Sequence, residues 1–441
     1  MSRLNRRDFL YTATAAATVS GTVVSGLARQ ASPADRINVA VIGNGGQGRA
    51  HISSYLTLAD VNLVAVCDVD ETRLAEAQKL APNAKAISDF RRLLDDRTID
   101  AVSIATPDHW HTPAALMALS AGKHVYVEKP CSHNVREGRW LVEAAKNSGR
   151  VVQHGTQSRS AEFIQAAVEI LRAGTIGDIV IARAWDVQFR PPIGRAQPGE
   201  VPKGFDYDTW TGPAPLLPFQ SNRHHYSWHW WHAFGTGDAG NDGVHEIDIA
   251  RWGLGVNTHP HSVSAAGGKY IHQDDQEFPD TMTAVFEYPG IEGQVARRQL
   301  IFEMRLWSHY HPNNIDNGNE FLGTRGRMLL TKRGKLEVFD EKGGRIDVKL
   351  PDSRSVSVAS HQQNFIQAIR TGSPVNADAA TGHLSSTLPH LGNIACRIGR
   401  GFRFDAETET IPGDDEANAL LGRSYRSGGH WGVPAEAGGV G

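Results

Sequence analysis

Arg36-Ile37-Asn38-Val39-Ala40-Val41-Ile42-Gly43-Asn44-Gly45-Gly46-Gln47-Gly48 decides the fold. Its first half is an apolar, β-branched run that predicts a buried strand. Glycines at 43, 45 and 48 follow at once in the spacing G-x-G-x-x-G. Gly43 allows a tight turn out of the strand, Gly45 lets backbone approach a pyrophosphate, and Gly48 lets the next helix pack closely on the strand. Residues 51–58 predict that helix, whose free N-terminal amides near Gly46 and Gln47 suit phosphate oxygens. Val61 to Cys67 predicts a second strand ending at Asp68. An acidic side chain there accepts hydrogen bonds from ribose hydroxyls and repels a 2′-phosphate, so Asp68 favours NAD over NADP. A glycine pattern alone marks only a glycine-rich turn; strand, turn, helix, strand and Asp in order mark a dinucleotide site.

The alternation continues with a helix at 89–94, strands at 101–105, 125–128 and 151–154, and a helix at 114–121. Residues 36–155 therefore read as a doubly wound parallel sheet of the α/β class, a Rossmann domain. Thr106-Pro107-Asp108-His109-Trp110-His111 closes one strand and Glu128-Lys129-Pro130 closes the next. Ligands of such sheets bind outside the carboxyl ends of the strands, where both motifs fall. Lys129 is an ammonium fixed by a rigid strand end, and burial would bring it into acid–base range. A solvated surface lysine is the plain alternative.

Residues 156–405 predict a second, α+β domain. Strand-like runs at 179–188, 262–266, 281–287, 292–302, 327–331 and 336–339 suggest a large, mostly antiparallel sheet. Residues 361–370 and 379–396 read as helices packed back on the body. The tail, 406–441, is Gly-rich and expected to be loose after Asp414, apart from Gly429-His430-Trp431. Asn222 to His232 is dense in imidazole and indole, and neither a His-Glu-x-x-His arrangement nor a cysteine pair makes it a metal centre. It reads as a substrate wall, with Arg223 and Tyr226 as contacts to a hydroxylated ligand; packing is the rival reading. No metal is expected.

With 40% hydrophobic and 21% charged residues and a net charge of −3, the chain reads as a globular enzyme with no basic patch for nucleic acid. Cys67, Cys131 and Cys396 are scattered and cannot form a disulfide framework. At the other end, Asn5-Arg6-Arg7-Asp8-Phe9-Leu10 precedes a moderately apolar run to Leu27. These are the parts of a twin-arginine signal peptide over residues 1–31, with a membrane anchor as the weaker alternative because the run is short and Thr-rich. That signal implies the twin-arginine export machinery as a partner and a periplasmic or otherwise exported protein. It also implies a cofactor loaded before export and tightly held, since the periplasm offers no free dinucleotide pool.

The glycine fingerprint, Thr106-Pro107 with His111, Ala121 to Pro130 (A-G-K-H-V-Y-V-E-K-P) and Trp210-Thr211-Gly212-Pro213-Ala214-Pro215 together resemble the Gfo/Idh/MocA sugar dehydrogenases. The resemblance runs from residue 36 to about 405. It implies that Lys129 is the catalytic lysine, that Glu128 stands beside the nicotinamide ribose, and that Thr106, Pro107 and His111 line the cofactor. Gly235 to Asp248 resembles the family's D-x-x-x-H helix start, which implies His245 as general acid–base. Asn241 replaces the Asp; an amide can hydrogen-bond a hydroxyl but cannot carry charge. The resemblance also implies a homo-oligomer.

Three functions fit. One is an NAD-dependent dehydrogenase of a CH–OH group in a sugar or cyclitol. A second is a redox-neutral NAD-dependent glycosidase or lyase working by transient oxidation and elimination. A third is a non-catalytic binding protein that uses the dinucleotide domain as a scaffold.

Overall fold

The computed structural model describes residues 36–427. The expected signal peptide and the Gly429-His430-Trp431 patch lie outside the described residues.

The first domain runs β1 (Ile37–Ile42), α1 (Gly46–Tyr55), β2 (Val61–Cys67), α2 (Glu71–Leu80), β3 (Lys85–Ile87) and α3 (Arg91–Asp95). It continues β4 (Ala101–Ile104), α4 (Asp108–Ser120), β5 (His124–Val127), α5 (Val135–Ser148) and β6 (Val152–His154). The six strands pair in parallel in the order β3-β2-β1-β4-β5-β6. Residues 39–42 of β1 are buried on both faces, as a sheet covered by helices on each side requires. α1 begins five residues earlier than the periodicity predicts, directly on the glycine turn. α4 likewise opens at Asp108, six residues before the expected helix at 114, so the Thr106–His111 motif is a strand-to-helix turn.

The second domain opens with α6 (Glu162–Arg172), whose buried Phe163, Ile164, Ala167, Val168 and Leu171 form one helical stripe. It continues with β7 (Ile179–Asp186), a long connection containing α7 (Tyr207–Thr211), and α8 (Val244–Leu254). Then come β8 (Ser262–Gly268), β9 (Thr281–Ile291), β10 (Val295–Arg305), β11 (Asn317–Gly323), β12 (Gly326–Leu330), β13 (Leu336–Asp340) and β14 (Arg345–Ile346). α9 (Val358–Thr371), α10 (Ala379–Ile398), β15 (Phe402–Arg403) and α11 (Asp415–Ala419) complete it. The nine-stranded sheet is antiparallel except where β7 lies parallel to β10. In β9 the alternation is clean: Met282, Ala284, Phe286 and Tyr288 are buried and join the core under α8 and α10.

α10 packs on both β8 and α5, and α9 packs on α1, so the second domain's last helices clasp the first domain. The described residues after Asp414, 415–427, are tied down rather than loose. Arg423 pairs with Glu137 of α5 at 2.7 Å, and Tyr425 Oη donates to the same carboxylate at 2.7 Å. The three cysteines are free, with Cys67 and Cys131 buried.

Candidate active site

The glycine turn at the end of β1 is shaped to accept a ligand. Gly43 has φ +85°, and a Cβ there would sit 2.7 Å from backbone atoms of Ala105 and Thr106. A Cβ on Gly48 would lie 1.8 Å from the Gly43 carbonyl oxygen, so only glycine lets α1 come this close. No side chain caps α1 and no acid lies in its first turn, which leaves amide donors and positive potential toward the cavity. These features fit a dinucleotide pyrophosphate.

Asp68 holds this turn as well as lining the pocket. Its carboxylate accepts the amides of Asn44 (2.6 Å) and Asp70 (3.0 Å). Burial pushes its carboxyl up, and those two amides pull it back. Asp68 lines an apolar cavity with Gly43, Gly45, Phe90, Trp110 and Trp210, whose ring walls beside a carboxylate suit the adenine and ribose of a dinucleotide. Arg73, a residue the sequence reading passed over, lines it too and stands 3.1 Å from the position a Gly45 Cβ would take.

Trp210 belongs to the connection between β7 and α8, so the second domain closes over this pocket. Ties that pin that connection to the first domain include the Glu71 amide to the Gly204 carbonyl (2.9 Å), the Asp206 amide to the Val69 carbonyl (3.0 Å), His225 Nε2 to the Asp70 carboxylate (2.8 Å), and His109 Nε2 to the Trp210 carbonyl (2.8 Å).

A larger cavity of about 290 Å³ opens next to it. Gly45, Gly46, Gln47, Thr106, Pro107, His111, Glu128, Lys129, Tyr226 and Asn241 all line this one space. Lys129, at the end of β5, points its Nζ at Asn241 Oδ1 across 3.5 Å. Glu128 is buried, and Oε1 accepts from Gln47 Nε2, Gln157 Nε2 and His51 Nε2, each at 3.0 Å. Burial alone would raise its carboxyl; the His51 bond and the charge of Lys129 hold it well below the usual range. His51, Gln157 and Ser103 were not predicted. They are scattered over α1, β4 and the segment after β6, and only the sheet order brings them together.

His111 is fixed between the Pro130 (2.6 Å) and Thr106 (2.8 Å) carbonyls, so it braces the two strand-end motifs against each other. Asp108 is a further lining residue; it is buried and accepts from Thr236 Oγ1 at 2.6 Å.

Asn241 sits in a π-helical turn, Ala239–Gly243, immediately before α8, and its Nδ2 donates to Asp238 Oδ1 at 2.9 Å. His245 begins α8 behind it, is half-buried, and does not itself line the cavity surface. Burial, reinforced by the ammonium groups of Lys332 and Lys129, lowers its imidazole to about 3. Lys332 binds Asp242 (3.2 Å) and Glu246 (3.0 Å), while Arg190 binds Asp238 (2.8 Å) and Asp242 (2.9 Å). Burial still pushes the Glu246 carboxyl up to about 7.

Within the histidine- and tryptophan-rich stretch, Tyr226, Trp228 and His229 line the cavity. Tyr226 has φ +85°, and its hydroxyl accepts from Arg190 at 2.7 Å. Arg223 stands apart from the other predicted site residues. Its guanidinium lies over the Trp231 ring at 4.2 Å and donates to Pro218 O and Gln220 Oε1, so stacking and local bonds hold it away from the cavity. Away from the cleft, His259, His383 and Glu409 bring ligand-type atoms within 4.8 Å of one another, but both rings already meet Glu409 Oε1, to which Arg139 also donates.

Comparison with known proteins follows the same division. Residues 37–156 match the oxidoreductase family model with the NAD-binding Rossmann fold, and residues 183–288 and 339–431 match that family's C-terminal α/β domain. The myo-inositol 2-dehydrogenase of Thermotoga maritima is 29% identical over 84% of this chain and 99% of its own length. The D-glucoside 3-dehydrogenase of Escherichia coli is 34% identical over 35% of this chain, a match spanning under half (45%) of its length. A levoglucosan dehydrogenase solved with NADH shares the fold, with a TM-score of 0.65 and 20% identity over 83% of this chain and 98% of its own. The glycine turn that only glycine can form, the NAD-binding first domain and the large sheet of the second all agree: the chain belongs to the Gfo/Idh/MocA oxidoreductase family.

Proposed function

We propose that the protein oxidises a CH–OH group of a sugar or cyclitol in an NAD-dependent reaction. The observation that carries this reading is the shared cavity, in which the glycine turn, Lys129 and Asn241 face one space. When bound, the nicotinamide ring supplies the hydride acceptor. Lys129 Nζ donates to the substrate hydroxyl oxygen and stabilises the alkoxide as it forms. Asn241 orients that hydroxyl and the lysine together. His245, set behind Asn241 and outside the cavity surface, is assigned the hydroxyl proton on the family resemblance. The same positive charges that hold the ring neutral also favour an alkoxide beside it. Tyr226, Trp228 and His229 offer ring faces to the C–H surface of a sugar.

A second reading is favoured by the connection that closes over the adenosine pocket. A cofactor held by the His225–Asp70 contact and its two backbone neighbours leaves slowly. Slow release suits a redox-neutral glycosidase or lyase, which oxidises a carbon, eliminates a substituent and restores the carbon within one turnover. Export by a twin-arginine signal would demand the same retention, and we propose an exported homo-oligomer on that ground and on the family's open sheet face. Incubation of the exported protein with free polyols and with glycosides separates the readings. NADH accumulating with added NAD supports the dehydrogenase; free sugar without net NADH supports the second reading. Neither product from any polyol or glycoside would leave only a binding role.

A further inference from the structure

A second cavity, of about 150 Å³, is separated from the catalytic one by the Asp108–Thr236 hydrogen bond. Its wall carries His133, Asn134, His232, His390, Arg397 and Arg423, and no carboxylate. Several of these donors have nothing to donate to among the described residues. Asn134 is 5% exposed; its Oδ1 caps α5 by accepting the Glu137 amide (3.0 Å), and its Nδ2 is buried without a partner. Arg423 uses Nε on Glu137 and Nη2 on the His109 carbonyl (2.6 Å), leaving Nη1 buried and unpartnered. Both ring nitrogens of His133 are buried and unpartnered.

A buried donor left without a partner is costly, so such a concentration calls for a filling group. Water would fill the volume, but water brings as many donors as acceptors. The lining is biased toward donors and toward positive charge. Glu137, bonded to the lining Arg423, is already committed to it and to Tyr425.

We propose that this cavity binds a small oxyanion of the phosphate or carboxylate class, held by the Arg397 guanidinium, Arg423 Nη1 and Asn134 Nδ2. The neutral imidazoles complete the shell, since each can turn an N–H inward. Thr236 lines the anion cavity and its bonded partner Asp108 lines the catalytic one, so a single hydrogen bond joins the two walls.

The test is calorimetric titration of the full-length, NAD-saturated protein with inorganic phosphate and, separately, acetate at matched ionic strength. Saturation with NAD blocks the pyrophosphate turn. One phosphate or acetate binds per chain, and the stronger of the two arms identifies the geometry of the natural anion. Arg397→Gln, an exposed position, weakens binding at least about tenfold, the loss expected for a charged hydrogen bond, with turnover in the absence of anion unchanged. Asn134→Asp keeps the α5 cap but puts a carboxylate where the donor stood, and abolishes binding. Absence of binding in the NAD-saturated wild type, or unchanged affinity in both variants, overturns the proposal.

Discussion

Lys129 and Asn241 come from different domains and meet at 3.5 Å across the mouth of one cavity. The lysine is delivered by the end of a parallel strand, and the amide by a π-helical turn ahead of α8. Neither element reaches the cleft without the other domain in place. The site is therefore a property of the interface, and its chemistry depends on how rigidly the two domains are clasped.

Asn241 carries an amide because its neighbour is Asp238, which is fully buried and accepts from Asn241 Nδ2 at 2.9 Å. Asn241→Asp replaces that bond with two facing carboxylates. The expected result is a loss of about 1–3 kcal/mol in urea-induced unfolding. Unchanged stability would mean that the Arg190 contact to Asp238 absorbs the added charge.

Lys129→Met keeps the stem and removes the charge. Turnover should fall by roughly 10²–10⁴-fold while NAD affinity, measured by fluorescence titration, stays within the same order of magnitude. Full activity would remove the lysine from the mechanism.

His225→Ala cuts the 2.8 Å contact to Asp70 that helps close the second domain over the adenosine pocket. Exchange of bound NAD for labelled NAD should speed up by about threefold to tenfold, the worth of one net hydrogen bond. An unchanged exchange rate would show that the closing segment does not govern retention.

Buried histidines make the protein acid-sensitive. His109, His154, His229 and His390 are lowered by burial from 6.5 to about 3. The folded state thus prefers them neutral. Their contribution is fully present above pH 6.5 and is lost as pH falls from there toward 3. Each adds a slope of about 1.4 kcal/mol per pH unit inside that window. Urea midpoints should drop steeply between pH 6.5 and 4.5, and His154→Gln should make the drop shallower. A flat profile across that range contradicts the burial assigned to these rings.

Much of the first domain was legible because its signals are local. The β-branched run at 37–42, the three glycines and Asp68 lie within one short stretch, and steric necessity at Gly43 and Gly48 leaves them a single use. The strand-end motifs at Thr106 and Glu128 were legible by the same logic, since a parallel sheet sends its carboxyl ends to one edge. β11 escaped because Asn317-Gly318-Asn319-Glu320 shows no apolar alternation. Its asparagines are buried for polar reasons, pairing with the Asp186 carboxylate (2.7 Å) and the Glu246 carbonyl (2.7 Å). Long-range partnerships were equally invisible: nothing near Glu128 in sequence announces His51 or Gln157, and nothing near Glu137 announces Arg423. Arg223 misled because a cation in an aromatic stretch suits a substrate wall and a stacking contact with Trp231 equally well.

The most direct test of the account is a single turnover of the NAD-loaded protein with a polyol deuterated at its carbinol carbon, followed by denaturation and mass analysis of the released nucleotide. Hydride transfer in this cleft predicts deuterium in the nicotinamide ring. Oxidised product that has lost its deuterium, alongside an unlabelled nucleotide, would contradict it.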